Sequence, residues 1–91
     1  MSDRLEFQHL KYILAVAETG NFTRAANRLF LTQPSLSRQI RDLEDDIGFP
    51  IFLRDRKSVD VTPAGQLVVS YAQEALEARA EFIRAARALR R

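Results

Sequence analysis

Residues 32–41, TQPSLSRQIR, hold the densest set of hydrogen-bonding groups in the chain. Gln33, Ser35 and Ser37 can both donate and accept, while Arg38 and Arg41 bring permanently charged, planar forks of donors. Arg24 and Arg28 precede them, and no Asp or Glu lies between Glu18 and Asp42. Cations segregated in this way, with neutral donors among them, create a local positive field that attracts phosphate. The overall charge of +2, from 14 basic and 12 acidic residues, conceals that segregation. A second basic knot, RDRK, occupies residues 54–57. Covalent and metal chemistry have no comparable footing. The chain has no cysteine, His9 is its single histidine, no glycine-rich loop cradles a phosphate, and no acid–base pair converges. Neither catalysis nor a bound metal or cofactor is expected.

A chain of 91 residues, 46% of them hydrophobic, has room for one small domain. A core of that size often leans on a partner for stability. The longest apolar run, ILAVA at 13–17, is far short of the roughly 20 residues needed to span a bilayer. MSDRLEF places charges where a secretory leader needs an apolar stretch, so the expected compartment is the reducing cytoplasm.

Four helices and a hairpin position these groups. Phe7, Leu10, Leu14 and Ala17, widened by Ile13 and Val16, predict a first helix over 5–19 that stops at Gly20. Asn21 caps a second, short helix over 22–30, whose small Ala25 and Ala26 let a neighbouring helix approach closely. Thr32 caps a third, and Pro34 falls in its first turn, where a missing N–H costs little. Leu36, Ile40, Leu43 and Ile47 form its core face, and Gly48 followed by Pro50 ends it. Apolar or alternating runs at 51–54 and 59–62 around a polar turn predict a hairpin. Thr62 and Pro63 open a last helix running to 91. Along it Ala64, Val68, Tyr71, Ala75, Ala78, Phe82, Ala85 and Leu89 follow the alternating spacing of a coiled-coil seam.

Two short helices joined by so tight a turn form a helix-turn-helix, with Ala26 and Leu36 expected where they cross, and the hairpin adds a wing. The third helix carries its bases early and its acids Asp42, Glu44, Asp45 and Asp46 late, against the preference of the helix dipole. A helix entering the DNA major groove by its N-terminal end gains from this order. Gln33, Pro34, Ser35, Ser37 and Arg38 meet the duplex, and the acidic tail stays clear of the backbone. The alternative use of the same charges is a pair of i, i+4 ion pairs, Arg38 with Asp42 and Arg41 with Asp45, worth about 0.2–0.5 kcal/mol each. A winged helix that binds only protein is the competing function; the acid-free window argues against it.

The paired alanines Ala25 and Ala26, TQPSLSRQI, Leu43 and Glu44, Gly48, the IF that precedes Arg54, and TPAG together resemble the N-terminal domain of LysR-type transcriptional regulators over about residues 5–91. Pro50, just before the first wing strand, is a minor departure from the family pattern. The resemblance implies a mainly α fold: a winged helix-turn-helix with a three-helix core and a two-stranded β wing at 5–62 (helix-turn-helix at about 22–47), then a long linker and dimerisation helix at 63–91. It carries base contacts over to Gln33, Pro34, Ser37 and Arg38. Gln pairs well with adenine and Arg with guanine, each good pair discriminating by about 1–3 kcal/mol. Phosphate contacts fall to Asn21, Thr23, Thr32, Ser35, Arg41 and Arg54, and a wing contact in the minor groove to Arg56 and Lys57.

The implied partner is double-stranded DNA carrying an inverted repeat, bound by a bacterial, nucleoid-associated homodimer. Val68, Tyr71, Ala75, Ala78, Phe82, Ala85 and Leu89 form its seam, because an exposed apolar stripe of this length is rarely tolerated by a monomer. A full-length protein with a tetrameric form is a further expectation of the resemblance. The family's larger effector-binding domain, through which a small molecule acts, is absent from these residues, so the chain is read as a DNA-binding fragment. No membrane partner is expected.

Overall fold

The structure, a computed structural model, describes residues 5–55 and 58–90. Side-chain caps set most helix starts. α1 (Phe7–Thr19) begins where the Glu6 N–H donates to His9 Nδ1 at 3.0 Å, and ends on Gly20 in the left-handed region at φ 63°. α2 (Phe22–Arg28) starts with Asn21 Oδ1 accepting from the Arg24 N–H at 2.9 Å. It is two residues shorter than expected. Leu29 caps it, and Phe30 adopts φ 59°, turning the chain in a conformation that glycine or asparagine would adopt more cheaply. α3 (Gln33–Ile47) starts on Thr32, whose Oγ1 accepts from the Ser35 N–H, and ends on Gly48 at φ 93°.

β1 (Phe52–Arg54) and β2 (Val59–Val61) pair antiparallel, with Phe52 opposite Val61 and Arg54 opposite Val59. Each strand is one residue shorter than expected, β1 lacking Ile51 and β2 lacking Thr62. α4 (Pro63–Ala88) starts on Thr62. The Thr62 hydroxyl donates to the Pro50 carbonyl at 2.7 Å and accepts from the Gly65 N–H at 2.9 Å.

The core gathers Ile13, Val16, Ala25, Ala26, Leu36, Ile40, Leu43 and Ile51. Ala26 and Leu36 are both fully buried, as their expected place at the helix crossing requires. α1 touches α2, α3, α4 and β2. Tyr12 and Ala15, outside the expected stripe, are therefore buried as well, while Phe7 stays exposed. α4 extends well past this body. Its 26 residues span about 39 Å at 1.5 Å per residue, and its buried positions, Gly65, Val68, Val69 and Ala72, all lie in its first half.

Candidate nucleic-acid interface

The starts of α2 and α3 and the wing converge on one side of the molecule. A shallow, open concavity there is lined by Asn21, Thr23, Gln33, Ser37, Arg41, Arg54 and Ser58 among others. A second open depression continues from it along α3, lined by Gln33, Pro34, Ser37, Arg38, Arg41, Asp42 and Asp45. Thus Asn21, Thr23, Gln33, Pro34, Ser37, Arg38, Arg41 and Arg54 occupy one continuous strip. Gln33, Pro34, Arg38 and Arg41 are exposed, and Ser35 and Ser37 are half-buried. Thr32 is exposed at the head of the strip, its hydroxyl oxygen already accepting from Ser35. Arg56 and Lys57, the expected wing-tip contacts, lie outside the described residues.

The strip carries Arg38, Arg41 and Arg54 together with the acids Asp42, Asp45 and Asp55. Among the described residues neither Arg38 nor Arg41 forms a salt bridge, so the i, i+4 pairs with Asp42 and Asp45 are not made. Arg28 behaves differently and reaches Glu18 at 2.7 Å, at the border of the acid-free window.

Arg54, expected to hold a phosphate, also makes contacts within the chain. Its side chain is only 19% exposed, Nη2 lies 3.4 Å from Glu44 Oε1, and Nη1 donates to Ser37 Oγ at 2.6 Å. The guanidinium carbon stands 4.4 Å from the centroid of the Phe22 ring. Burial pulls the Arg54 pKa below its ordinary value, Glu44 opposing the shift and Arg41 adding to it. Nη1 and Nη2 are thereby each engaged once within the protein, while the side chain also lines the open concavity.

Glu44 is the functional residue whose task the sequence did not reveal. Its Oε2 accepts from the N–H groups of Ile51 (2.7 Å) and Phe52 (3.1 Å), tying the wing to α3. An acid that opposes the helix dipole is thus held by two backbone donors and a guanidinium. The signal in the sequence was the marker pair of Leu43 and Glu44, which carried no hint of its partners.

On α4 the expected seam divides. Tyr71, Phe82 and Leu89 are 52%, 70% and 87% exposed, a stripe that nothing among the described residues covers. Ala78 and Ala85 are exposed on the same stripe, and Ala75 is half-buried at its edge. Val68 is corrected: it is buried in the core of its own chain. A seven-residue spacing lags a straight helix by about 20° per heptad, so the stripe that faces outward at Leu89 has turned inward at Val68.

Residues 7–66 match the model described as "Bacterial regulatory helix-turn-helix protein, lysR family". This chain belongs to the LysR family. Among LysR relatives, the Hca operon transcriptional activator HcaR of Escherichia coli (strain K12) is 49% identical over 73 residues, covering 80% of this chain and 25% of HcaR. The regulator AlsR of Bacillus subtilis (strain 168) is 42% identical over 72 residues, covering 79% of this chain and 24% of AlsR. The chain therefore spans about a quarter of the length of these curated relatives. The crystal structure of a CbnR DBD–DNA complex superposes with a TM-score of 0.86 at 38% identity, covering 94% of this chain and 99% of that one. The BenM DBD in complex with benA site 1 DNA gives 0.88 at 36% identity, covering 92% and 94%. The LysR winged helix-turn-helix with its long last helix is thus the fold of this chain. The relatives named here are regulators of transcription, a family of non-enzymes. No helix among the described residues is long and apolar enough to cross a membrane.

Proposed function

We propose that this chain is the DNA-binding part of a sequence-specific transcriptional regulator that reads an inverted-repeat operator as a homodimer. The first turns of α3 enter the major groove. Gln33, Pro34, Ser37 and Arg38 meet base edges, and Asn21, Thr23, Thr32, Ser35 and Arg41 hold the flanking phosphates. The wing tip reaches the adjacent minor groove. Two copies join through the outward stripe of α4, from Tyr71 through Ala75, Ala78, Phe82 and Ala85 to Leu89, and a full-length protein assembles further, to a tetramer. The protein works in the bacterial cytoplasm, at the nucleoid, and a small-molecule effector acts through a domain outside these residues.

The observation that carries this reading is the open strip itself. Arg38 and Arg41 stand exposed beside Gln33 and Ser37 and, among the described residues, form no salt bridge, which leaves their charges available to a phosphate. The solved DNA complexes of related domains support it. Selection of bound sequences from a random duplex pool tests the proposal. The expected product is an inverted repeat whose half-site centres lie about 10–10.5 base pairs apart, or a multiple of that. A pool that enriches no sequence, or a single asymmetric site, refutes it.

A further inference from the structure

The spacing that assigns Phe7 to the core stripe of α1 does not bury it: Phe7 is 39% exposed, and cations cover its ring instead. The Arg79 guanidinium carbon stands 4.2 Å from the ring centroid, and Lys11 Nζ stands 5.9 Å from it. A cation within about 6 Å of an aromatic face is attracted by the ring quadrupole. Lys11 belongs to α1 itself, whereas Arg79 comes from α4, so its contact joins two elements. Among the described residues Arg79 forms no salt bridge that would draw it elsewhere.

The place of this contact gives it leverage. Leu76 shares a depression with Lys11, Leu14 and Ala15, and Arg79, nearly one turn further on, meets Phe7. α4 therefore runs antiparallel to α1 and reaches the first residue of α1 at Arg79, where α1 offers it no further turn to lean on. The buried positions of α4 end at Ala72, about 10 Å short of Arg79 at 1.5 Å per residue. Phe7 is held in turn by the start of α1, which Glu6 and His9 cap reciprocally. Around α4, Arg79 lies between the face turned to the body, with Ala72 and Leu76, and the outward stripe of Ala78 and Phe82.

We infer that Phe7 and Arg79 are positioning residues for half-site spacing: their contact holds the free half of α4 at one tilt to the reading head, so that the homodimer favours inverted repeats of a single spacing. This rests on the dimeric, DNA-reading function proposed above. One base pair more or less between half-sites shifts them by about 3.4 Å along the duplex and about 35° around it. With each protomer absorbing half of that turn by pivoting α4 at Ala72, the backbone at Arg79, about 10 Å away, moves by about 3 Å. In one direction the cation leaves the reach of the ring; in the other the guanidinium is driven against it. A protein that lacks the contact has nothing to lose at the altered spacing.

The experiment measures affinity for the selected inverted repeat at its own spacing and with one base pair inserted or removed at its centre. The proteins are wild type, Phe7→Leu, Arg79→Gln, Arg79→Lys and the Phe7→Leu/Arg79→Gln double variant. Circular dichroism checks the folding of each, and sedimentation its dimerisation. Wild type prefers its own spacing. Phe7→Leu and Arg79→Gln each shrink that preference by about 5- to 30-fold, because a dimer holds two such contacts and each, at an exposed site, is worth about 2- to 5-fold. Base preferences within the half-site stay as they are. Arg79→Lys, still a cation, retains most of the spacing preference, and the double variant loses no more than either single one.

Single variants that keep the wild-type spacing preference overturn the inference. So does a loss of affinity that is equal at all three spacings, the mark of a contact that only stabilises the fold. Phe7 lies off the seam, so its variant decides the matter even where Arg79→Gln disturbs dimerisation. A wild type that binds an inverted repeat but tolerates all three spacings equally also overturns it. A wild type that enriches no sequence, or that is monomeric, refutes the proposed function instead.

Discussion

Gly65→Ala sets two well-known effects of opposite sign against each other. Alanine is the better helix former by about 0.8–1.0 kcal/mol, and on that ground alone the substitution stabilises α4. The structure opposes it. A Cβ at Gly65 overlaps the Ile51 carbonyl oxygen and lies 2.9 Å from its carbonyl carbon and 3.0 Å from its Cα. These are backbone atoms and cannot swing aside, so α4 or the chain entering β1 must shift. Such a shift strains two bonds that root α4 there, Thr62 N–H to the Ile51 carbonyl at 2.9 Å and Thr62 Oγ1 to the Pro50 carbonyl at 2.7 Å. Overpacking costs about 1–3 kcal/mol and each of the two weakened bonds about 0.5–1.5 kcal/mol, so after the gain in propensity the net loss is about 1–5 kcal/mol. For a domain of this size each kcal/mol lost lowers Tm by about 4–8 °C. Thermal unfolding followed by far-ultraviolet circular dichroism, at equal concentrations of both proteins because association raises apparent stability, measures it directly. An unchanged or higher Tm refutes the account of how α4 is seated.

Three other substitutions probe the interface, the seam and the wing. Arg38→Ala leaves stability within about 0.5 kcal/mol, since the side chain is exposed, but relaxes base preference at one position of each half-site by about 1–3 kcal/mol; competition binding on operator variants reads this out. Phe82→Asp places a charge in the outward stripe of α4 and shifts the protein toward monomer in sedimentation, weakening operator binding with it; a variant that remains dimeric shows that the seam lies elsewhere. Glu44→Ala leaves the Ile51 and Phe52 N–H groups and the Arg54 guanidinium without their acceptor, and urea denaturation should show a loss of about 3–5 kcal/mol.

Signals that act within a turn or two of the chain were legible from the sequence. Asn21, Thr32 and Thr62 cap the helices they were expected to cap, and Gly20 and Gly48 end theirs in left-handed conformations, because a cap bonds to the helix immediately beside it. The end of α2 was harder to place, since the left-handed residue there is Phe30, whose side chain gives no sign of that conformation. Tyr12 and Ala15 were missed because α1 touches four other elements, so one apolar stripe does not describe its burial. Val68 was placed on the seam because spacing alone cannot tell where a drifting stripe leaves the core. Within the site, the strip from Gln33 to Arg41 was readable because a single helix carries it. The Arg54 contacts were not, because Phe22, Ser37 and Glu44 meet it only once α2, α3 and the wing have folded together.

Thr62 fastens α4 to the residues that lead directly into β1: its N–H is on the Ile51 carbonyl and its hydroxyl on the Pro50 carbonyl. The hairpin and the long helix thus share a single hinge pin. Tilting the far end of α4, as a change in the crossing angle between two copies would do, turns that pin and swings the hairpin with it. On the function proposed above, the reach of the wing across the duplex would follow the posture of a helix whose other end stands tens of ångströms away.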